Sequence, residues 1–205
     1  MPAMILARSG GDEIALANVQ GALGAAGLVG GIVVSVWGGP KRKIHGALGI
    51  TAISFLLGDG LFALGRNVSM WVAAACLGAF FIPILVGSNQ AIWQAKVPPA
   101  VQGRVFSVVG MLRQAMTPLG YLMGGLLAER WLEPAMMPNG SLAPLFDSLV
   151  GVGPGAGMAV MFLATALLGC AMSLFGYLFP SVRNVEEELP DYDDPVLSSA
   201  VAQPA

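Results

Sequence analysis

Apolar residues run through this chain in five uninterrupted blocks, at residues 14–37, 44–65, 68–93, 105–131 and 156–179, separated by shorter polar stretches. At a rise of about 1.5 Å per residue, each block is long enough as a helix to cross a hydrocarbon layer about 30 Å thick. Strands of a membrane barrel would alternate polar and apolar positions over about 10 residues, and these blocks do not alternate. Helices satisfy their own backbone polar groups in lipid. The pattern therefore predicts an all-α integral membrane protein, a polytopic helix bundle over residues 1–183. A short apolar stub at residues 1–7, closed by Arg8, reads as the end of a sixth span.

Composition sharpens this reading. Hydrophobic residues make up 56% of the chain and charged residues 11%, against about 25% charged in an ordinary soluble domain. A net charge of −2 with no basic face excludes nucleic acid as a partner. Cys76 and Cys170 lie inside predicted spans and read as small buried hydrophobes. With His45 the sole histidine, no two-histidine metal site exists, and neither a GxSxG elbow nor a Walker GK[ST] occurs. No catalytic residue, metal or cofactor is expected. The glycine-rich residues 151–157 lead into a span and read as its flexible entry.

Basic residues are placed unevenly between the blocks. Lys41, Arg42, Lys43, Lys96, Arg104 and Arg183 fall on one side, and Arg8, Arg66 and Arg130 on the other. The positive-inside rule then puts the C-terminus in the cytoplasm. The connection over residues 132–155 holds Pro134, Pro138, Asn139-Gly140 and Pro144, turn formers suited to an exterior loop, with room for a short interfacial helix at residues 142–150. From residue 184 onward, acids cluster around prolines, which predicts an acidic disordered cytoplasmic tail over residues 184–205. Trp37, Trp71, Trp93 and Trp131 sit at span ends, as expected of an interfacial aromatic belt.

Two helix faces carry small and polar residues. In the first span Gln20, Gly24, Gly27, Gly31 and Ser35 fall within about an 80° arc at about 100° per residue, a groove for a neighbouring helix. The fourth span carries Ser107, Gly110, Arg113, Thr117, Gly120 and Gly124 on one side, with Pro118 favouring a bend. Arg113, beside Gln114, has two readings. It either lines an aqueous substrate path or coupling network, or snorkels toward the inner headgroups, because a charge left facing lipid costs at least about 2.5 kcal/mol. Asp59 reads either as a titrating intramembrane carboxylate or as a residue near the outer interface. Asn89 and Gln90 either line a path or hydrogen-bond between helices.

Several of these residues resemble the C-terminal half of a major facilitator superfamily transporter. The run holding Gly31, Gly38, Lys41, Arg42 and Lys43 is similar to the second-half copy of that family's cytoplasmic loop motif, with Ser35 and Val36 where the family has an acid and a base. The segment holding Asn89, Gln90, Trp93, Lys96, Pro98, Pro99, Gln102, Gly103, Arg104 and Phe106 resembles the link between the tenth and eleventh helices in the bacterial macrolide and siderophore exporter branch. Pro118, Gly120, Gly124 and Gly125 are similar in style to the family's Gly/Pro-rich helix motif.

The resemblance implies efflux of a small organic molecule by alternating access in the bacterial inner membrane, with five complete spans as helices eight to twelve. Path or coupling candidates are then Arg113, Gln114, Asn89, Gln90 and Asp59; inner-loop gating candidates are Gly31, Lys41, Arg42, Lys43 and Arg104. Expected partners are the lipid bilayer, a small-molecule substrate, and a missing N-terminal half or a second copy. The alternative is a non-transporting membrane interaction or structural protein.

Overall fold

The computed structural model describes residues 1–188 and Asp191, and among the described residues every regular element is helical. The order is α1 (Pro2–Ser9), α2 (Glu13–Trp37), α3 (Lys43–Ser54), α4 (Leu61–Leu64), α5 (Val68–Lys96), α6 (Pro99–Leu127), α7 (Glu133–Ala135), α8 (Ala143–Val150), α9 (Ala156–Gly176), α10 (Pro180–Arg183) and α11 (Val185–Glu188). Two wide π-helical turns, Phe55–Gly60 and Ala128–Leu132, carry the backbone from α3 into α4 and from α6 into α7.

Local chemistry sets several of these boundaries. The Asp12 carboxylate accepts from the amides of Ile14 (2.9 Å) and Ala15 (3.1 Å) and so starts α2. The side chain of Asn67 accepts from the Met70 amide at 2.8 Å and starts α5. Gly38, at φ 76°, ends α2 in the left-handed region that a side chain disfavours, and its amide donates to the Val34 carbonyl at 2.8 Å.

Among the described residues, four helical segments have both the length and the apolarity to cross a membrane: Glu13–Trp37, Lys43–Leu64, Val68–Lys96 and Ala156–Gly176. They coincide with four of the five predicted blocks. The remaining block falls on α6 and the π-turn after it. At 29 residues α6 has the length, but with Arg104 and Arg113 it does not reach the apolarity of the other four. The expected count of five spans is thus four by both criteria, with α6 distinct.

α5 packs against α2 and α3, while α9 packs against α3, the first π-turn and α4. Small side chains let the backbones close in, as lipid supplies no hydrophobic drive for helix pairing. A Cβ on Gly30 of α2 would overlap the Phe80 carbonyl of α5, and one on Gly58 would sit 3.0 Å from the α-carbon of Gly78. The buried core brings Met4 and Ile5 of α1 together with Val19, Phe62, Trp71 and Met136. Outward faces are apolar too: Val36 is 84% and Met172 74% exposed, a surface suited to lipid and not to water.

The expected groove on α2 is not the face that packs. Gly24, Gly27 and Gly31 have open space where a Cβ would stand, while the buried positions Ala15, Val19 and Gly30 lie about 120° around the helix. α6 has no fully buried residue, so its small-residue stripe is also uncovered. Trp71 departs from the aromatic-belt expectation as well. It is buried, and its indole donates to the Gly65 carbonyl at 3.0 Å. Trp37, Trp93 and Trp131 remain exposed.

Charged residues gather at the two ends of the bundle. At one, Arg8 donates to the carbonyls of Gly65 (2.9 Å) and Val150, and Arg66 donates to those of Asp147 (3.2 Å) and Ser148 (2.9 Å) at the close of α8. At the other lie residues 38–43, Lys96 and α11. Of the acidic tail, Val185–Glu188 forms a helical turn against α3, and residues 189–190 and 192–205 lie outside the described residues.

Candidate functional site

The C-terminal half of α5 and the first half of α6 flank a cleft of about 180 Å³ lined by Asn89, Gln90, Trp93, Phe106, Gly110 and Arg113. It continues past Leu85 and Val86 into adjoining space of about 270 Å³. Phe106, Gly110 and Arg113 recur at three- and four-residue spacing, which puts them on one side of α6. Pro98 at the cap and Pro99 at the first position of α6 cannot continue α5, and Gln102 secures the turn by donating to the carbonyls of Gln94 (3.1 Å) and Val97 (2.8 Å).

Three of the sequence-derived path candidates, Arg113, Asn89 and Gln90, therefore share one cleft. Among the described residues the Arg113 guanidinium has no hydrogen-bond or ion-pair partner, and Arg113, itself exposed, lines the cleft beside two carboxamides. The hydroxyls of the same stripe are already used. Ser107 Oγ donates to the Gly103 carbonyl at 2.7 Å, and Thr117 Oγ1 to that of Arg113 at 3.0 Å. Chemically the cleft offers hydrogen-bond donors and one positive charge to a polar or anionic group, with Trp93 and Phe106 as apolar walls. Gln114 lies outside it and is exposed.

Asp59 belongs to a different space. It stands in the first π-turn on a cavity of about 280 Å³ lined by Leu23, Thr51, Ser54, Ala75 and Phe162, and Thr165 Oγ1 donates to its carboxylate at 3.4 Å. The two charged path candidates thus face two separate cavities.

The gating candidates also divide. Lys43 Nζ donates to the Gly38 carbonyl at 2.9 Å, neutralising the negative end of α2, and Arg42 pairs with Glu187 of α11. Lys41 and Arg104 are exposed, and Gly31 lies on the open face of α2. Residues outside the path and gating candidates carry much of the polar bonding. Glu133 accepts from the amides of Gly155 and Met158, both at 3.1 Å, and so caps α9. Glu186 does the same for α3, through the amides of Lys43 and Ile44, both at 3.0 Å. The one available signal was charge complementarity between the tail and the basic loop. Among the described residues no group of histidines, cysteines or acids could hold a metal ion.

With this geometry in view, the chain is similar in sequence to macrolide efflux proteins. It is 29% identical over 107 residues, half of this chain, to macrolide efflux protein A of Streptococcus pyogenes. It is 29% identical over 97 residues, 45% of this chain, to macrolide efflux protein A of Enterococcus faecalis. The match spans about a quarter of the length of these curated relatives, 26% and 29% respectively. The expected resemblance to the macrolide exporter branch is borne out at this level. No protein-family model matches the chain, and no solved structure matches it significantly.

Proposed function

We propose that this chain is the C-terminal part of a major facilitator type exporter that moves a small organic molecule out of a bacterial cell by alternating access. The observation that carries the reading is the convergence of Arg113, Asn89 and Gln90 on one polar cleft in a chain similar in sequence to macrolide efflux proteins. The cleft lies between a tightly packed helix and one that stands off the bundle, the arrangement expected where a path opens between helices. A guanidinium without a protein partner is costly in lipid and is retained where water or substrate meets it. The basic end with Lys41, Arg42 and Lys43 faces the cytoplasm in this reading, and Arg113 holds polar substituents of the passing substrate. Alternating access requires a second bundle to move against, supplied by an N-terminal half or a second copy.

The test is macrolide accumulation in cells expressing the native gene product that carries this chain. Arg113→Ala should raise accumulation toward that of cells lacking the gene while membrane abundance stays the same, and Asn89→Ala should act in the same direction. Accumulation unchanged by removal of the whole gene, across chemically distinct compounds, would favour the non-transporting interaction protein.

A further inference from the structure

The inner end of α3 begins without a cap of its own. Arg42 stands at the N-cap position and its side chain bonds none of the first-turn amides, which leaves donors that a helix start must place elsewhere. The missing acceptor arrives from a residue more than 140 positions away. Glu186 spans the helix start with both carboxylate oxygens, Oε1 on the Lys43 amide and Oε2 on the Ile44 amide, each at 3.0 Å. A carboxylate there also meets the positive end of the helix dipole.

Two further contacts surround that cap. Glu187 forms an ion pair with Arg42. Lys96, in the last turn of α5, donates to the Glu186 backbone carbonyl at 3.0 Å and pairs with the Asp191 carboxylate at 2.8 Å. The acids after α9 therefore reach two other helices at once, the start of α3 and the end of α5. The contacts differ in weight. The Arg42 and Glu187 side chains are 56% and 61% exposed, a pair of the kind water and salt weaken, whereas the Lys96 side chain is 12% exposed.

We infer that Glu186, Glu187 and Asp191 form an intramolecular clasp that holds the basic loop and the inner ends of α3 and α5 together, and that opens when its charges are lost or screened. While it is closed, the α3 amides, Arg42 and Lys96 are engaged by the chain itself. When it opens, the loop at residues 38–43 loses its tie to α11, and those cations become available to the anionic groups of a membrane surface. The clasp is a conformational device at the end of the bundle that the proposed function places in the cytoplasm, but its bonds do not depend on that function.

The test uses the full chain, purified in detergent, with Cys76 and Cys170 replaced by alanine and a single cysteine placed at Lys41 in the basic loop. The rate of maleimide modification reads the freedom of the loop, and a cysteine at Ser141, at the opposite end, serves as reference. Glu187→Arg should speed modification at position 41 by about threefold or more, the scale of one ion pair plus a weakened helix cap. It should leave position 141 unchanged, and adding Arg42→Glu to restore an opposite-sign pair should bring the rate back. In the chain with Glu187 intact, about 0.5 M salt should also speed position 41. Rates at position 41 that respond neither to Glu187→Arg nor to salt would overturn the clasp. So would a rise at both positions, which marks general loosening, or a double swap as fast as the single variant.

Discussion

Gly30 of α2 lies so close to Phe80 of α5 that a Cβ on the glycine would clash with the Phe80 carbonyl oxygen. Its neighbour Gly31 faces open space. Adjacent glycines therefore have opposite roles in the bundle. Gly30→Ala should separate α2 from α5 and lower stability by about 1–3 kcal/mol, the usual cost of overpacking. Gly31→Ala should keep stability or raise it by up to about 1 kcal/mol, as alanine is the better helix former. Thermal unfolding of the two purified variants, followed by helix content, distinguishes them; equal midpoints would remove Gly30 as the contact that sets the α2–α5 spacing.

Glu133 predicts a second asymmetry. Its carboxylate is the acceptor for the Gly155 and Met158 amides at the start of α9, where the N-cap residue is a glycine with no side chain to offer. Glu133→Ala should cost about 1–2 kcal/mol through the lost cap, and Glu133→Gln, which keeps one acceptor oxygen, should cost less. Amide hydrogen exchange at residues 155–158 should rise in the alanine variant ahead of the rest of α9. Uniform exchange along the helix would argue against the cap.

Trp71 joins the end of α4 to α5 through its indole bond to the Gly65 carbonyl. Trp71→Phe keeps the apolar bulk and removes the donor, leaving a buried carbonyl with one bond fewer. A loss of about 1–2 kcal/mol is expected. A belt tryptophan at the interface would show almost none, so the unfolding midpoint of this variant separates the two roles.

The membrane orientation in the proposed function has its own check. A cysteine at Lys41 in intact cells should react with a membrane-impermeant maleimide only after the cytoplasmic side is opened, while one at Ser141 should react directly. Both positions are exposed, so sidedness decides which of them a membrane-impermeant reagent reaches in intact cells. The reverse pattern would invert the bundle in the membrane.

The path candidates show how far residue patterns reach. Arg113, Asn89 and Gln90 stand out in sequence because polar groups in apolar helices are expensive, and they do share a cleft. Asp59 stands out for the same reason, yet it faces another cavity, because which space a span residue meets depends on the rotation of its helix and on the π-turn at Phe55–Gly60. No spacing rule applied to the sequence announces that turn.

The helical character of the apolar runs, their approximate lengths and the separation of basic residues into two ends were legible in the sequence alone. Long apolar runs force the backbone to satisfy itself, and charges must lie beyond them. Which face of each helix packs was decided only in the tertiary structure. These helices are apolar nearly all round, so periodicity marks no inward side, and the choice of Gly30 over Gly24, Gly27 and Gly31 rests on the Phe80 backbone opposite. The same holds for the caps of α3 and α9. Their acceptors, Glu186 and Glu133, are distant in the chain and become caps only when folding brings a carboxylate to an open helix start.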